Sequence, residues 1–254
     1  MSDRVQLYDE FSEKYDVMVS WEDRLAREEP FFRELIDSTS AKRVLDVGCA
    51  TGGHVFHFAK MGLEAIGVDP SAEMVRIARS GAAGEPLVGF IQAGFGELAE
   101  KVSGRFELLT CLGNTLPHAL TPHDLDRALQ DMKSMLKPGG VVVIQQLNYD
   151  RILAERQRFL GVSAGVRDDV EHIFFRFYDF DDPQLTFNIA TFRKEAGRWH
   201  FRVDSTHLRP IRLLEMEDAI GRAGLELIAT YGSFDKDPFD PKTSGDLIVV
   251  AKRL

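Results

Sequence analysis

The chain has 254 residues, enough to bury a sizeable core as one α/β domain with an insertion or as two small domains. Apolar residues make up 44% and charged residues 28% of it, which is ordinary for a globular protein. The net charge of −9, with no long basic run, disfavours binding to nucleic-acid phosphates. We therefore expect a small-molecule partner and no nucleic acid.

Targeting and metal-binding signals are absent from the sequence. Residues 1–5 lack the apolar core of a signal peptide, and no apolar run approaches membrane-spanning length. Cys49 and Cys111, the two cysteines, have no zinc or disulfide spacing, and the seven histidines show no ligand spacing with acids. We expect a cytoplasmic protein without a metal or a membrane partner, and its oligomeric state is left open.

The predicted elements begin with a helical segment. Apolar and aromatic residues recur at helical spacing over 5–38, so residues 1–40 are predicted to form an amino-terminal helical lid. Strands and helices then alternate as far as residue 150, which predicts a doubly wound parallel sheet. The strands are predicted at 43–47, 64–68, 87–91, 106–112 and 140–147, with helices at 53–60, 71–80, 95–101 and 123–136.

The pattern changes after Tyr149. Three runs rich in Phe, Ile, Val and Thr, separated by turn residues, predict an antiparallel meander; they are 171–180, 185–193 and 199–208. A helix at 212–223 and a closing pair of strands at 225–230 and 246–252 follow. In the meander, His172 and Tyr178 are predicted to be packing residues.

These elements predict an α/β fold with a seven-stranded, mostly parallel, Rossmann-like sheet. Residues 41–150 and 210–254 would form this main domain. Residues 151–209 would form an inserted antiparallel β subdomain on the substrate side.

The glycine-rich turn after the first strand is the strongest functional signal. Residues 44–53 read VLDVGCATGG, and the second strand ends at Asp69. A strand, glycine turn, helix and second strand in this order bind a nucleoside-containing cofactor at the carboxyl ends of parallel strands. Asp69 has the spacing expected of an acid that accepts hydrogen bonds from both ribose hydroxyls.

Two classes of cofactor could bind at a turn of this kind. A nicotinamide dinucleotide places its pyrophosphate at the helix amino terminus and prefers Gly-x-Gly-x-x-Gly, whereas this turn has Ala50 as its third residue. Asp46 would repel a pyrophosphate but suits the ammonium end of S-adenosylmethionine (SAM), which has no phosphate. The turn therefore favours SAM, with a dinucleotide site or a purely structural turn as alternatives.

Polar residues also follow the fourth predicted strand. The segment 109–118 reads LTCLGNTLPH, and its strand should lie beside the first strand, at the switch point where ligands bind. Asn114 could orient a methyl acceptor, and His118 could contact the donor or the acceptor. Alternatively, Asn114 is a turn residue whose side chain hydrogen-bonds to its own local backbone, and His118 is a surface histidine.

Several segments together resemble one enzyme group. CLGNTLPH at 111–118, KPGGVVVI at 137–144 and NYDRIL at 148–153 resemble the glycine and glycine/sarcosine N-methyltransferases, which are class I SAM-dependent methyltransferases. Residues 15–24 are similar to the lid of the bacterial members, and the meander lies where that family carries its small antiparallel domain. The resemblance covers nearly the whole chain and implies SAM as cofactor and S-adenosylhomocysteine as its product.

The resemblance also implies roles for individual residues. Cofactor contacts are implied for Trp21, Arg24, Asp46, Gly48, Ala50, Asp69, Met74, Gly94, Phe95, Leu112 and His118. Within this set, Arg24 would hold the cofactor carboxylate, and Gly94 and Phe95 would bracket the adenine. The acceptor would meet Tyr15, Asn114 and Asn148, with Asn114 and His118 as the catalytic candidates.

One departure from the family bears on the acceptor. In the glycine enzymes the fifth strand typically ends in DHRNYD, and its arginine clamps the substrate carboxylate; here residues 145–150 read QQLNYD, so Leu147 replaces it. Loss of a guanidinium–carboxylate pair removes both energy and geometric specificity. We expect an amine other than glycine, unless Arg151, Arg176 or Arg209 supplies the charge. An O- or C-methyltransferase and a non-catalytic SAM-binding module are the alternatives.

Overall fold

The computed structural model describes residues 3–254, with side chains described from Gln6 onward. Its helices are α1 Asp3–Met18, α2 Trp21–Thr39, α3 Gly53–Lys60, α4 Ala72–Gly81, α5 Leu98–Lys101, α6 Pro122–Met135, α7 Tyr149–Glu155 and α8 Leu213–Arg222, and a short 3-10 helix spans Leu116–His118. Its strands are β1 Arg43–Val47, β2 Glu64–Asp69, β3 Val88–Gln92, β4 Phe106–Cys111, β5 Leu136–Leu147, β6 Phe159–Arg167, β7 Val170–Asp181, β8 Gln184–Glu195, β9 Arg198–Leu208, β10 Leu225–Tyr231 and β11 Asp246–Arg253.

The larger sheet has seven strands in the order β10-β11-β5-β4-β1-β2-β3. All neighbours are parallel except β11, which runs antiparallel to both β5 and β10. This architecture confirms the predicted fold. Because β1 pairs with β2 on one side and β4 on the other, the chain reverses direction across the sheet at β1. The carboxyl ends of β1 and β4 therefore form the predicted switch point.

Helices cover both faces of this sheet with separate apolar layers. On one face, α6 and α8 bury residues such as Leu125, Met132 and Met216. On the other face, Phe31 of α2 and Phe58 of α3 pack into a second layer. Strand β5 contacts both layers, which explains the continuous apolar run in its second half.

The amino-terminal segment forms two helices rather than the single helix expected over 5–38. Ser20 separates them with a non-helical backbone (φ −73°, ψ 88°), and its hydroxyl donates to Asp23 at 2.5 Å. The two helices pack differently. Phe31 and Phe32 of α2 belong to the main core, whereas Phe11 of α1 packs edge-on against Phe174 of β7 at 5.6 Å between ring centroids.

The second sheet is antiparallel, in the order β6-β7-β8-β9. Three of its strands match the predicted meander, and β6 was missed. Most β6 residues are exposed, and small residues interrupt its apolar pattern at Gly161, Ser163 and Gly165. An exposed edge strand of this kind lacks the apolar alternation on which sequence-based assignment depends.

Two boundaries in the main domain also differ from prediction. The expected helix 95–101 is helical only over Leu98–Lys101, because residues 94–97 form a turn in which the Gly94 N–H donates to the Glu97 carboxylate at 2.8 Å. Strand β5 begins at Leu136 rather than 140, since Leu136 pairs with Phe106 ahead of a bulge. Among residues 3–254, no helix is long and apolar enough to cross a membrane.

Candidate active site

A cavity of about 620 Å³ lies at the carboxyl edge of the parallel strands. Its floor comes from the ends of β1, β2 and β4, at Gly48, Asp69 and Asn114. Its roof is α1, and its far wall is the face of β7 that carries Arg176 and Tyr178. Residues far apart in sequence therefore meet in one space.

Asp69, at the end of β2, is fixed by backbone donors. The Ala50 N–H donates to its Oδ2 and the Ser71 N–H to its Oδ1, both at 2.9 Å. Burial raises the pKa of this carboxyl to about 6, although the two N–H groups oppose the shift. Each oxygen keeps a further lone pair, as a bidentate contact to a ribose requires.

The glycine turn leaves room beside the first strand. Gly48 has φ +79°, and a Cβ at this position would lie 2.3 Å from Cγ2 of Thr115. Both its conformation and its neighbour thus require glycine. Met74, Gly94 and Phe95 line the same end of the cavity.

Asp46 and Leu112 lie behind the cavity wall rather than in it. Asp46 is 2% exposed, and its Oδ1 accepts from the Thr110 hydroxyl at 2.7 Å. Its Oδ2 is buried with no hydrogen-bond partner among the described residues. Burial raises the pKa of Asp46, and a nearby ammonium would both satisfy this oxygen and favour the ionised carboxylate.

Arg24 reaches the cavity from α2 and is held by a buried network. Its Nε donates to Oε1 of Glu28 at 2.9 Å, and Oε2 of Glu28 lies 2.7 Å from Nε2 of His54. Burial alone would raise the pKa of Glu28, but its hydrogen bond with His54 and the charge of Arg24 outweigh burial and lower it. The guanidinium lies beside Gly113, where a Cβ would meet it at 3.4 Å.

These residues fit S-adenosylmethionine. Asp69 offers buried acceptors for the ribose, and Gly48 gives close backbone approach. Arg24 would provide a cation for the cofactor carboxylate, and Oδ2 of Asp46 is an unsatisfied acceptor behind the glycine turn. The acidic residues Asp69 on the floor and Asp46 behind it would repel a pyrophosphate.

Asn114 follows β4 in a left-handed conformation, with φ +67°. Its Oδ1 accepts from the Leu147 N–H at 3.2 Å, and its Nδ2 donates to the Tyr149 hydroxyl at 2.8 Å. The amide is therefore rigidly oriented between two elements. The Tyr149 hydroxyl in turn donates to Oδ1 at 3.0 Å, so one N–H of Asn114, which lines the cavity, is left for a ligand.

His118 ends the short 3-10 helix and meets the roof. Its Nε2 lies 2.9 Å from the Tyr8 hydroxyl, and the two rings meet edge-on. Burial raises the pKa of Tyr8 well above its usual range, so this phenol stays protonated at neutral pH. Tyr8, at helical spacing with the other aromatic residues of α1, reads from the sequence as a core aromatic, but in the structure it lines the cavity beside His118.

Helix α1 is joined to the cofactor end of the floor by two further contacts. The Ser71 hydroxyl, which caps α4, donates to Asp9 at 2.5 Å, and the Thr51 hydroxyl donates to Asp16 at 2.5 Å. Tyr15 lies between these contacts and lines the cavity, and burial raises its pKa. The roof is thus hydrogen-bonded to residues that flank both Asp69 and Gly48.

Two of the residues implied by resemblance lie away from the cavity. The Trp21 indole packs over Gly53 in an outer depression and donates to Asp16 at 2.8 Å. Asn148 is fully buried, where it caps α7 and donates to the carbonyls of residues 240, 241 and 244. Both side chains make contacts within the protein, and neither lines the cavity.

Several cavity residues were not expected from the sequence. Tyr178 lines the cavity, whereas it had been predicted as a packing residue; His172, on the same face, is buried against Phe174 as expected. Strand alternation places Phe174, Arg176 and Tyr178 on one face, but only the packing of α1 shows that this face looks into the site. Gln145 and Asp246, which hydrogen-bond to each other at 2.9 Å, also line it.

Cys49 lies in the glycine turn between two cavity residues. It is 2% exposed, and burial, followed by the charges of Asp69 and Asp46, raises its thiol pKa well above the usual value. The thiol is therefore held in its neutral form. Among the described residues, no group of three or more His, Cys, Asp or Glu is arranged to hold a metal ion.

Comparison with known proteins agrees with this geometry. Residues 44–140 match the family model described as a methyltransferase domain. A glycine/sarcosine N-methyltransferase from Halorhodospira halochloris is 29% identical over 245 residues, which cover 91% of this chain and 84% of the relative.

Solved structures show the same fold. A SAM-dependent methyltransferase from Clostridium acetobutylicum superposes with a TM-score of 0.78 at 17% identity, covering 97% of this chain and 98% of the other. SAM-bound CalS10, an amino pentose methyltransferase from Micromonospora echinaspora, gives 0.72 at 21% identity, covering 93% and 92%. With the glycine turn, the acid at the end of β2 and the matched fold in place, the chain is a SAM-dependent methyltransferase with the class I fold, and it resembles the glycine/sarcosine N-methyltransferases over most of its length.

Proposed function

We propose that this enzyme methylates the nitrogen of a small amine that is larger than glycine. The observation that carries the proposal is the acceptor end of the cavity, which is apolar and aromatic at Leu147, Leu160, Phe187, Ile189 and Leu208. Glycine has no apolar surface to place against such a wall. A bulkier acceptor would bury its carbon atoms there, at about 25 cal/mol per Å² of apolar area.

In this proposal the protein mainly orients the acceptor. Bound SAM supplies a methyl group on a sulfonium, which is already an excellent leaving group. The remaining requirement is to align a lone pair behind the methyl carbon and to exclude water. The rigid amide of Asn114 supports this role, because Asn114 lines the cavity and keeps one N–H that no described residue accepts.

If the acceptor binds as a neutral amine, the site needs no general base before methyl transfer. Tyr8 and Tyr15 are phenols whose pKa values are raised by burial, so they act as hydrogen-bond donors rather than bases. His118 remains our candidate for a base, with Tyr8 as the group that orients its ring. If His118 does not act as a base, the methylated nitrogen would lose its proton to solvent after methyl transfer.

The relatives support nitrogen as the target. The Halorhodospira relative is named for glycine and sarcosine, and CalS10 is named for an amino pentose. The three named acceptors are small, and they differ in size. We also propose the division into a lid (1–40), a cofactor domain (41–150 and 210–254) and an acceptor-side insertion (151–209).

The test is release of S-adenosylhomocysteine from SAM across a panel of acceptors. The panel would contain glycine, sarcosine, dimethylglycine, apolar amino acids, amino sugars, aliphatic and aromatic amines, phenols, and hydroxy and keto acids. We expect turnover on an amine with an apolar portion and little on glycine. Efficient turnover of glycine would contradict the argument from Leu147, and turnover of phenols or keto acids alone would replace nitrogen by oxygen or carbon.

A further inference from the structure

Arg176 is a cation in the cavity wall whose charge no described carboxylate neutralises. It lies on β7, and its side chain lines the acceptor end of the cavity. Its Nε is buried without a hydrogen-bond partner, and its Nη2 reaches the Gly161 carbonyl only at 3.5 Å. Among the ion pairs formed by residues 6–254, none includes Arg176.

The groups nearest to Arg176 cannot compensate its charge. Tyr15 and Tyr178 are the ionisable groups that act on it, and both have pKa values raised by burial, Tyr178 to about 12. Both phenols are therefore neutral at physiological pH. Desolvation in turn lowers the pKa of Arg176, although an arginine remains charged. A partly buried cation of this kind is costly until an anion pairs with it.

Arg24, Arg27 and Arg127 also line the cavity, but they come from α2 and α6 rather than from β7. The charge of Arg27 acts on the carboxyl of Asp246. Arg24 is paired with Glu28 at 2.9 Å. Arg127 donates to the Gly96 carbonyl at 3.3 Å, next to the loop that lines the cofactor end. Of the two other arginines considered from the sequence, Arg209 is ion-paired with Glu215, and Arg151 donates to the Thr243 carbonyl at 3.1 Å.

Arg176 lies at the acceptor end of the cavity rather than at the cofactor end. Tyr178, two residues along β7 on the same face, lies about 7 Å away by strand geometry. Tyr178 packs in one apolar cluster with Tyr149, whose hydroxyl is bonded to Asn114. Across the strand pair, Arg176 is opposite Ile189 and Tyr178 is opposite Phe187, and all four line the cavity.

We propose that Arg176 binds a carboxylate of the methyl acceptor, so that the acceptor combines this anionic group with an apolar body and a nitrogen near Asn114. The inference rests on the proposed N-methyltransferase function and narrows its substrate class. A single guanidinium presents a planar fork that matches one carboxylate bidentately. The β7 wall of the cavity carries one guanidinium, which fits a monoanion better than a phosphate dianion. Leu160, Phe187 and Ile189 would pack against the apolar portion.

The first experiment measures binding to the S-adenosylhomocysteine complex by calorimetry, which does not depend on turnover. The probes are leucine and phenylalanine, their carboxamides, the matching amines isoamylamine and phenethylamine, and the aminophosphonate analogues. We expect the carboxylates to bind about 10- to 100-fold more tightly than their amides, as a charge-assisted pair contributes. The Arg176→Gln variant should lose this preference, and Arg176→Lys should keep part of it.

Arg193→Gln is the matched control, because Arg193 is on the adjacent strand β8, exposed and paired with Glu195 at 2.9 Å. It should retain the full preference for carboxylates. Unchanged affinity for S-adenosylhomocysteine in Arg176→Gln would show that the variant is folded. Equal binding of acids and amides to the unmodified enzyme, or an equal preference in Arg176→Gln, would overturn the inference. A preference for phosphonates would also overturn it.

Turnover separates this inference from the proposed function. If amines are methylated without regard to a carboxylate, the N-methyltransferase proposal stands and the role of Arg176 fails. If carboxylates bind through Arg176 but no amine in the panel is methylated, Arg176 is an acceptor-binding residue and nitrogen is the wrong target.

Discussion

The cofactor end and the acceptor end of the cavity are stabilised by different kinds of contact. At the cofactor end, Asp69 and the glycine turn are fixed by backbone N–H groups that belong to the sheet edge. At the acceptor end, Asn114, Tyr8 and Arg176 come from three separate parts of the chain, and the side chains of Asn114 and Tyr8 are held by those of Tyr149 and His118. The difference shows that one end is fixed by a local motif, while the other exists only after α1 and β7 have packed together.

Of the changes that test this difference between the two ends, we expect Asn114→Ala to have the largest effect on activity. Loss of the amide removes the contacts to Leu147 and Tyr149 and leaves the acceptor without an orienting group. Because misplacement of a reacting atom by about 1 Å can cost a factor of about 100, we expect kcat to fall by about that much. The affinity for S-adenosylhomocysteine, measured by calorimetry, should change little.

A matched change at the cofactor end is Asp69→Ala. Removal of the buried carboxylate takes away acceptors for the ribose, so the Kd for S-adenosylhomocysteine should rise about 10- to 100-fold. At saturating SAM, kcat should be largely retained. If Asp69→Ala and Asn114→Ala both changed only cofactor affinity, the division of the cavity into two ends would be wrong.

The pH dependence of cofactor binding is expected to be smaller. Burial raises the pKa of Asp69 to about 6, so the carboxylate is ionised above this pH and protonated as pH falls through it. At pH 5 about one-tenth of the sites remain ionised, so affinity for S-adenosylhomocysteine should fall by at most about tenfold from its plateau above pH 7. Calorimetric titrations between pH 5 and 8 measure this directly.

Asp69→Asn is the control for that titration, since an amide cannot ionise. Its affinity should be weaker than that of the unmodified enzyme at pH 8 and nearly constant with pH. A slope that persists in Asp69→Asn would assign the titration to another buried acid, of which Asp46 and Asp246 also have raised pKa values.

The smallest effect is expected from Tyr8→Phe. This change removes the hydroxyl that contacts Nε2 of His118 but keeps the ring that packs in the roof. A single hydrogen bond contributes about 0.5–1.5 kcal/mol, so we expect kcat/KM to fall about 2- to 10-fold. A loss as large as that of Asn114→Ala would instead make Tyr8 the principal acceptor-end residue.

Sequence reasoning recovered the fold and the cofactor end because both depend on local patterns. The turn that contains Gly48 and the acid at the end of β2 are specified by short spacings, and apolar alternation locates most strands. Local sequence patterns predict the acceptor end less well. Nothing in the sequence near Tyr8 indicates that it contacts a histidine 110 residues away, and the exposed edge strand β6 has no clear apolar pattern.

Residues implied by the resemblance differ in whether they line the cavity. Gly48, Ala50, Asp69, Met74, Gly94 and Phe95 all line it, whereas Asp46 and Leu112 lie behind its wall. Trp21 and Asn148 lie away from it, because their side chains contact neighbouring chain segments that short motifs cannot specify. Their proximity in sequence to motif residues does not determine where their side chains point.

The buried state of Cys49 has a consequence for an enzyme that holds an alkylating agent. SAM is an electrophile, and a thiolate is among the most reactive nucleophiles that a protein contains. Cys49 stands between Gly48 and Ala50, both of which line the cavity, yet burial and two neighbouring carboxylates keep its thiol protonated. Burial and the acids that suit a cationic cofactor therefore both disfavour the thiolate, which is the form of Cys49 that could attack the methyl group.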